Sequence, residues 1–104
     1  MTTDYAADVA KYVPNVNTAA VDVIVKYCGI ALRGADSSLV SCTDAAEQER
    51  VRDGFATKKL GLAADAAEKG MVTVCEQMKA AHSKSRVTFN YLLATATGTM
   101  GKLA

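Results

Sequence analysis

A chain of 104 residues with 12 Lys and Arg against 11 Asp and Glu has room for one hydrophobic core and carries no strong electrostatic address for nucleic acid. Nineteen Ala, six aromatic residues, a single Pro and no Trp favour helices with small side chains in close contact. The expectation is an all-α, single compact domain over residues 1–104, built from about five helices around a central apolar C-terminal helix, with 1–3 and 99–104 frayed.

Tyr5, Val9 and Tyr12 recur at i, i+4 and i+7, which predicts a short first helix that Pro14 brings to an end. Asn17 is placed to cap a second helix from Thr18, with Val16 and Val21 as a hydrophobic staple. Val21, Ile24, Val25 and Cys28 form its apolar stripe. It can stop at Gly29 or at Gly34, and Leu32 extends the stripe enough to favour the later stop. Residues 35–42, ADSSLVSC, read as a loop or single turn capped by Asp36 or Ser37 and anchored by Leu39 and Val40.

A third helix begins at Thr43 or Asp44. Val51, Phe55 and Leu60 make its inward face, Glu47, Glu49, Arg50, Arg52 and Asp53 its wet side, and Gly61 with Leu62 a left-handed cap. Gly54 inside it costs ~1 kcal/mol relative to Ala, which predicts a close approach there by another helix of the chain or of a second copy. Ala63, Ala64, Ala66 and Ala67 offer a similarly smooth surface. Asp65 and Glu68 have capping-box spacing for a fourth helix, on which Met71, Cys75, Met78 and His82 share one face before it ends near residues 79–81.

Ser83 or Ser85 can cap the fifth helix, where Val87, Phe89, Tyr91, Leu92, Leu93 and Ala96 leave little polar surface and Gly98 closes the run. The uncharged stretch 87–101 has 15 residues, short of the ~20 a membrane span needs, and is expected as a core helix.

Charge is unevenly spread. Residues 1–42 hold three basic and four acidic groups, 43–68 four and six, and 69–104 five and one, so the last third is mildly basic. Cys28, Cys42 and Cys75 form an odd set without CxxC spacing, which implies neither a disulfide framework nor a zinc cluster. Reduced thiols in a cytoplasmic protein are the simplest expectation. Asp4 and Asp8 stand where a signal peptide would carry Lys or Arg, so no export is expected.

CGIALR at 28–33, DSSLVSCTD at 36–44, KKLGL at 58–62 and YLLA at 91–94, in this order and spacing, resemble a group of small bacterial proteins known as domain of unknown function 2853. The likeness runs over residues 27–96, with CGIALR and KKLGL its more specific blocks. It implies a compact all-helical fold and no assigned reaction, cofactor or ligand, so it transfers no functional residue. Gly54 and Thr57 depart from the Asn and Lys that the resemblance leads one to expect, and the first 25 residues match loosely.

No set of side chains forms a catalytic constellation, and neither a metal site nor a cofactor is expected. Cys75, Met78 and His82 are soft ligands on one face, but three from a single helix rarely converge without a fourth. A Cys and His dyad would have to use His82, the only histidine. Glu47, Glu49 and Asp53 are interleaved with Arg50 and Arg52, which reads as a solvated face.

The best ligand candidate is the 33–43 segment, where Arg33, Ser37, Ser38, Thr43 and the amides opening the third helix could hold a phosphate or carboxylate. Local Ser and Asp bonds to the adjacent backbone explain the same residues without a ligand. Lys79, Lys84 and Arg86, with His82, make a basic turn, but nucleic-acid contact is disfavoured without interleaved aromatics. The leading expectation is a non-enzymatic interaction module with a protein partner or a second copy of itself, and no membrane.

Overall fold

The last helix organises the others. In the computed structural model, which describes residues 5–29, 40, 42–79, 85–99 and 101, α5 spans Arg86–Thr97 and is buried at each of the eight positions 87–94. A helix wrapped on all sides must find partners for its polar groups inside the protein. Thr88 Oγ1 donates to the Asp8 carboxylate. The Tyr91 hydroxyl accepts the Asn17 N–H at 2.8 Å, and Asn90 Nδ2 reaches Cys28 Sγ at 3.4 Å. Around α5 pack α1 (Tyr5–Val9), α2 (Thr18–Cys28), α4 (Ala64–Gln77) and the second half of a longer third helix. Among the described residues the chain forms a single all-α domain of five helices with the C-terminal one central.

Asn17 caps α2 as its sequence position predicts, its side-chain oxygen accepting the Ala20 N–H at 3.1 Å. Val21, Ile24 and Cys28 are buried, joined by Ala20, while Val25 is only partly covered. The favoured stop at Gly34 is not where α2 ends. Helix α2 stops at Cys28, where Gly29 adopts a φ of 39° and gives its N–H to Val25 O. Only glycine enters that region without a Cβ penalty, so the first of the two stops wins. Val40 is buried, as an anchor should be.

Asp44 caps α3 (Ala45–Val51), accepting the N–H groups of Ala46 and Glu47 at 3.0 and 3.3 Å. The helix then continues over Arg52–Lys59 as a π-helix, with bonds such as Leu60 N–H to Phe55 O at 3.1 Å. On an ideal α-helix, nine steps of ~100° would put Leu60 opposite Val51. The wider π turn, roughly 4.4 residues, brings both to one face. Val51, Phe55, Ala56 and Leu60 are all buried, so the expected inward set is correct and its winding is new. Gly61, at a φ of 69°, closes the run.

Helix α4 begins before the expected capping box. Ala63 holds the cap position without a side-chain bond, and Asp65 lies in the first turn, where its charge suits the helix N-terminus. Glu68 turns to Arg52 instead. Within the chain and among the described residues, the close helix approach is found at Gly70 and not at Gly54: a Cβ at Gly70 would lie 2.5 Å from Thr97 Cγ2 and 2.9 Å from Leu93 Cδ1, so α4 seats on α5 through that gap. Ser85 occupies the cap position of α5, yet its hydroxyl makes no cap bond and is buried without a partner. Ala96 is exposed rather than packed, and Gly98 ends α5 at a φ of 70°. No helix among the described residues is long and apolar enough to cross a membrane.

Candidate functional site

Cys42 and Cys75 are joined in a disulfide, with Cα atoms 5.9 Å apart across 33 residues of sequence. This corrects the reading of all three cysteines as reduced thiols. Cys42 sits two residues before the Asp44 cap and Cys75 near the end of α4, and the side-by-side packing of the third and fourth helices brings them within bridging distance. Cys28 is the free thiol. Its burial pushes the pKa up, against the opposing pull of the Arg86 charge and the Asn90 hydrogen bond.

The disulfide forms part of a groove of about 490 Å³ between α3 and α4. Ala45, Met71 and Val72 supply apolar lining, and Glu49, Arg52, Glu68 and Glu76 the charge. Val72 is 65% exposed, a large apolar side chain left to solvent in the middle of α4. Arg52 ties the groove together, donating to Asp53 at 3.0 Å and to Glu68 at 2.7 Å. The first of these bonds holds the Asp53 carboxyl below its ordinary pKa, and the two together raise that of Arg52.

A second cavity, of about 210 Å³, lies between α2, the third helix and α5, with Tyr27, Arg50, Gly54, Arg86 and Asn90 in its wall. Arg86 and Arg50 both bind Glu47, the latter at 3.0 Å. Glu47 therefore leaves the wet side assigned to it: its side chain is 12% exposed and links α3 to the start of α5. The Tyr27 ring meets Phe55 edge-on at 5.4 Å between centroids.

The sequence profile of the DUF2853 family, described as proteins of unknown function, matches residues 4–101. The chain belongs to that family. The DUF2853 match takes in most of the first 25 residues, which the block-by-block likeness touched only loosely. No curated protein matches the chain.

In this DUF2853 member, Arg33, Ser37 and Ser38 of the expected anion loop lie outside the described residues, and Thr43 is exposed beside the α3 cap. In the expected basic turn, Lys84 and His82 also lie outside them. Lys79 is exposed and paired with Glu76 at 3.8 Å, whereas Arg86 is turned inward to Glu47, so these two cations are not brought to one surface. The soft-ligand face is dismantled: Cys75 is bonded to Cys42, and Met78 is sealed in the core. Among the described residues no group of three or more His, Cys, Asp or Glu gathers as metal ligands would. Sequence reasoning missed Val72 because a single apolar residue on a polar face has no periodicity to announce it. It also missed Asn90, hidden inside an apolar run.

Proposed function

We propose that the chain is a non-enzymatic interaction module of the bacterial cytoplasm, whose partner is a protein segment that seats an apolar side chain in the α3–α4 groove and carries Lys or Arg beside it. The observation behind this reading is the exposed Val72 set among Glu49, Glu68 and Glu76, with Arg52 as the opposing charge. Apolar contact supplies the attraction and the acidic rim the choice of partner. The arrangement suits a helix that presents apolar anchors on one face and basic residues along its edge.

The test is fluorescence anisotropy with a labelled amphipathic Leu/Lys peptide and its Leu/Glu counterpart. The Leu/Lys peptide is expected to bind, to weaken with salt, and to be lost with Val72→Asp. Equal binding of both peptides, or indifference to Val72→Asp, overturns the reading. A concentration-dependent dimer abolished by Val72→Asp would make the partner a second copy and overturn the basic-segment assignment. The compartment has its own test, since a reducing cytoplasm keeps such cysteines as thiols. Alkylation at lysis reads the state of the Cys42–Cys75 pair in the cell: an intact bond refutes the cytoplasmic assignment, and a pair that is reduced in the cell and bridges only on oxidation supports it.

A further inference from the structure

The Cys42–Cys75 bond crosses the groove that both sulfurs line. It joins the entry to α3, two residues before the Asp44 cap, to the last turn of α4. At the opposite end Arg52 reaches Glu68 at 2.7 Å, but this is an exposed ion pair of the kind that holds two walls weakly. The α half of the third helix therefore leans on the covalent link. Val51 alone of its seven residues is buried, so core packing does not fix its opening turns. Glu47 ties them to α5 through Arg86, and the disulfide ties them to α4. Val40 and Val51 are buried on either side of this stretch, which confines any release to the residues between them.

We propose that Cys42 and Cys75 are a redox site that gates the groove: the disulfide form holds it at a width that fits a basic amphipathic helix, and the dithiol form releases one wall. The gate rests on the reading of the groove as a docking site and adds its regulation. In the reducing direction a dithiol attacks one sulfur and then resolves the mixed disulfide, so two electrons and two protons end on Cys42 and Cys75 while the reagent becomes a disulfide. In the oxidising direction a hydroperoxide takes the two electrons. Its O–O bond breaks, the S–S bond forms, and the two thiol protons leave in one alcohol and one water, or in two waters from hydrogen peroxide. Both sulfurs are only partly buried, whereas Cys28 is buried against Asn90, so such reagents act on the groove pair. The reduced form is accommodated as well: Gln48 Oε1 lies 3.9 Å from Cys75 Sγ, where a thiol has a proton to donate and a disulfide has none. A weak hydrogen bond then stands in for a covalent one.

The experiment is anisotropy with the labelled Leu/Lys peptide on the full chain in three states: bond intact, reduced with dithiothreitol, and re-oxidised with hydrogen peroxide after the dithiol is removed. Reduction should weaken binding by ~10-fold, the loss expected if the freed wall holds the competent width about a tenth of the time, and peroxide should restore it. Cys42→Ser and Cys75→Ser should each bind at the weak level and ignore both reagents, while Cys28→Ala keeps the response. Equal or tighter binding by the reduced chain overturns the gate and leaves the groove reading standing. Absence of binding in every state overturns both.

Hydrogen exchange read by mass spectrometry tests the release without a peptide and without a variant. Reduction should speed exchange over residues 45–51 and leave the buried run 87–94 of α5 protected. Unchanged exchange over 45–51 overturns the gate, because the bond then does not hold that wall. Lost protection in both segments also overturns it, because the bond is then a brace for the whole fold.

Discussion

Helix α5 and the third helix divide the work of the domain unequally. Helix α5 is buried at eight successive positions and finds interior partners for Thr88 and Tyr91. The third helix gives one face to the core, changes from α to π winding part-way, and borders both the groove and the smaller cavity. Asn90 stands where the two meet, with one amide atom unmatched. Stability is thus concentrated along α5, and the features that depart from an ideal fold collect beside the third helix. Departures of that kind are what binding sites require and what a purely structural helix would avoid.

The comparison is broken most directly by truncating one residue from each region. Leu93→Ala, at a fully buried position of α5, should cost ~2–5 kcal/mol in urea denaturation, while Val72→Ala in the groove stays within ~0.5 kcal/mol. Comparable losses would mean that the groove is part of the core. Reducing the Cys42–Cys75 bond, or Cys75→Ser, should lower stability by ~3–4 kcal/mol, as expected for opening a loop of 33 residues. Thermal melts with and without a dithiol reductant read that difference, and Cys75→Ser should be insensitive to the reductant.

Glu47→Gln weakens the link between the two regions, because Arg86 and Glu47 are paired at 14% and 12% side-chain exposure. The expected loss is ~1.5–3 kcal/mol, without a change in helix content by circular dichroism. The glycines sharpen the contrast further. Gly70→Ala drives a Cβ into Leu93 and Thr97 and should destabilise by ~1–3 kcal/mol, whereas Gly54→Ala makes only an ordinary contact, with the Tyr27 hydroxyl at 4.0 Å among the described residues, and should stabilise the chain by ~0.5–1 kcal/mol.

The smallest effect is on pH dependence. The Cys28 pKa is raised in the folded state by burial, so its thiol has no effect on stability while it is protonated in both states. Above the ordinary thiol value the unfolded chain ionises first, and stability falls as pH rises towards the folded pKa. Cys28→Ala should flatten that alkaline decline in a series of melts, and Cys28 should alkylate slowly in the native protein.

The helices were largely legible because local rules govern them. The Asn17 and Asp44 caps and the stops at Gly61 and Gly98 follow from backbone chemistry within a few residues. The errors have a common origin. Leu32 argued for a longer second helix on stripe continuity, yet Gly29 ends it by entering positive φ. Asp65 and Glu68 have the right spacing for a capping box, but Glu68 is drawn to Arg52, 16 residues away. Both sites adjoin residues that sequence reasoning had used as surface charges or core filler, because a cavity exists only between elements and has no signature within one.

By itself, the sequence determined the helix-rich class, most helix ends and the centrality of α5, since propensity, capping and an unbroken apolar run act over one or two turns. Tertiary structure alone decided the π winding of residues 52–59, the seating of α4 on α5 at Gly70, the union of Cys42 with Cys75, and the inward turn of Arg86 to Glu47. Each of these depends on which helix faces are pressed together. Winding yields when a core needs Val51 and Leu60 on one side, and a charge turns inward when its partner is buried beside it.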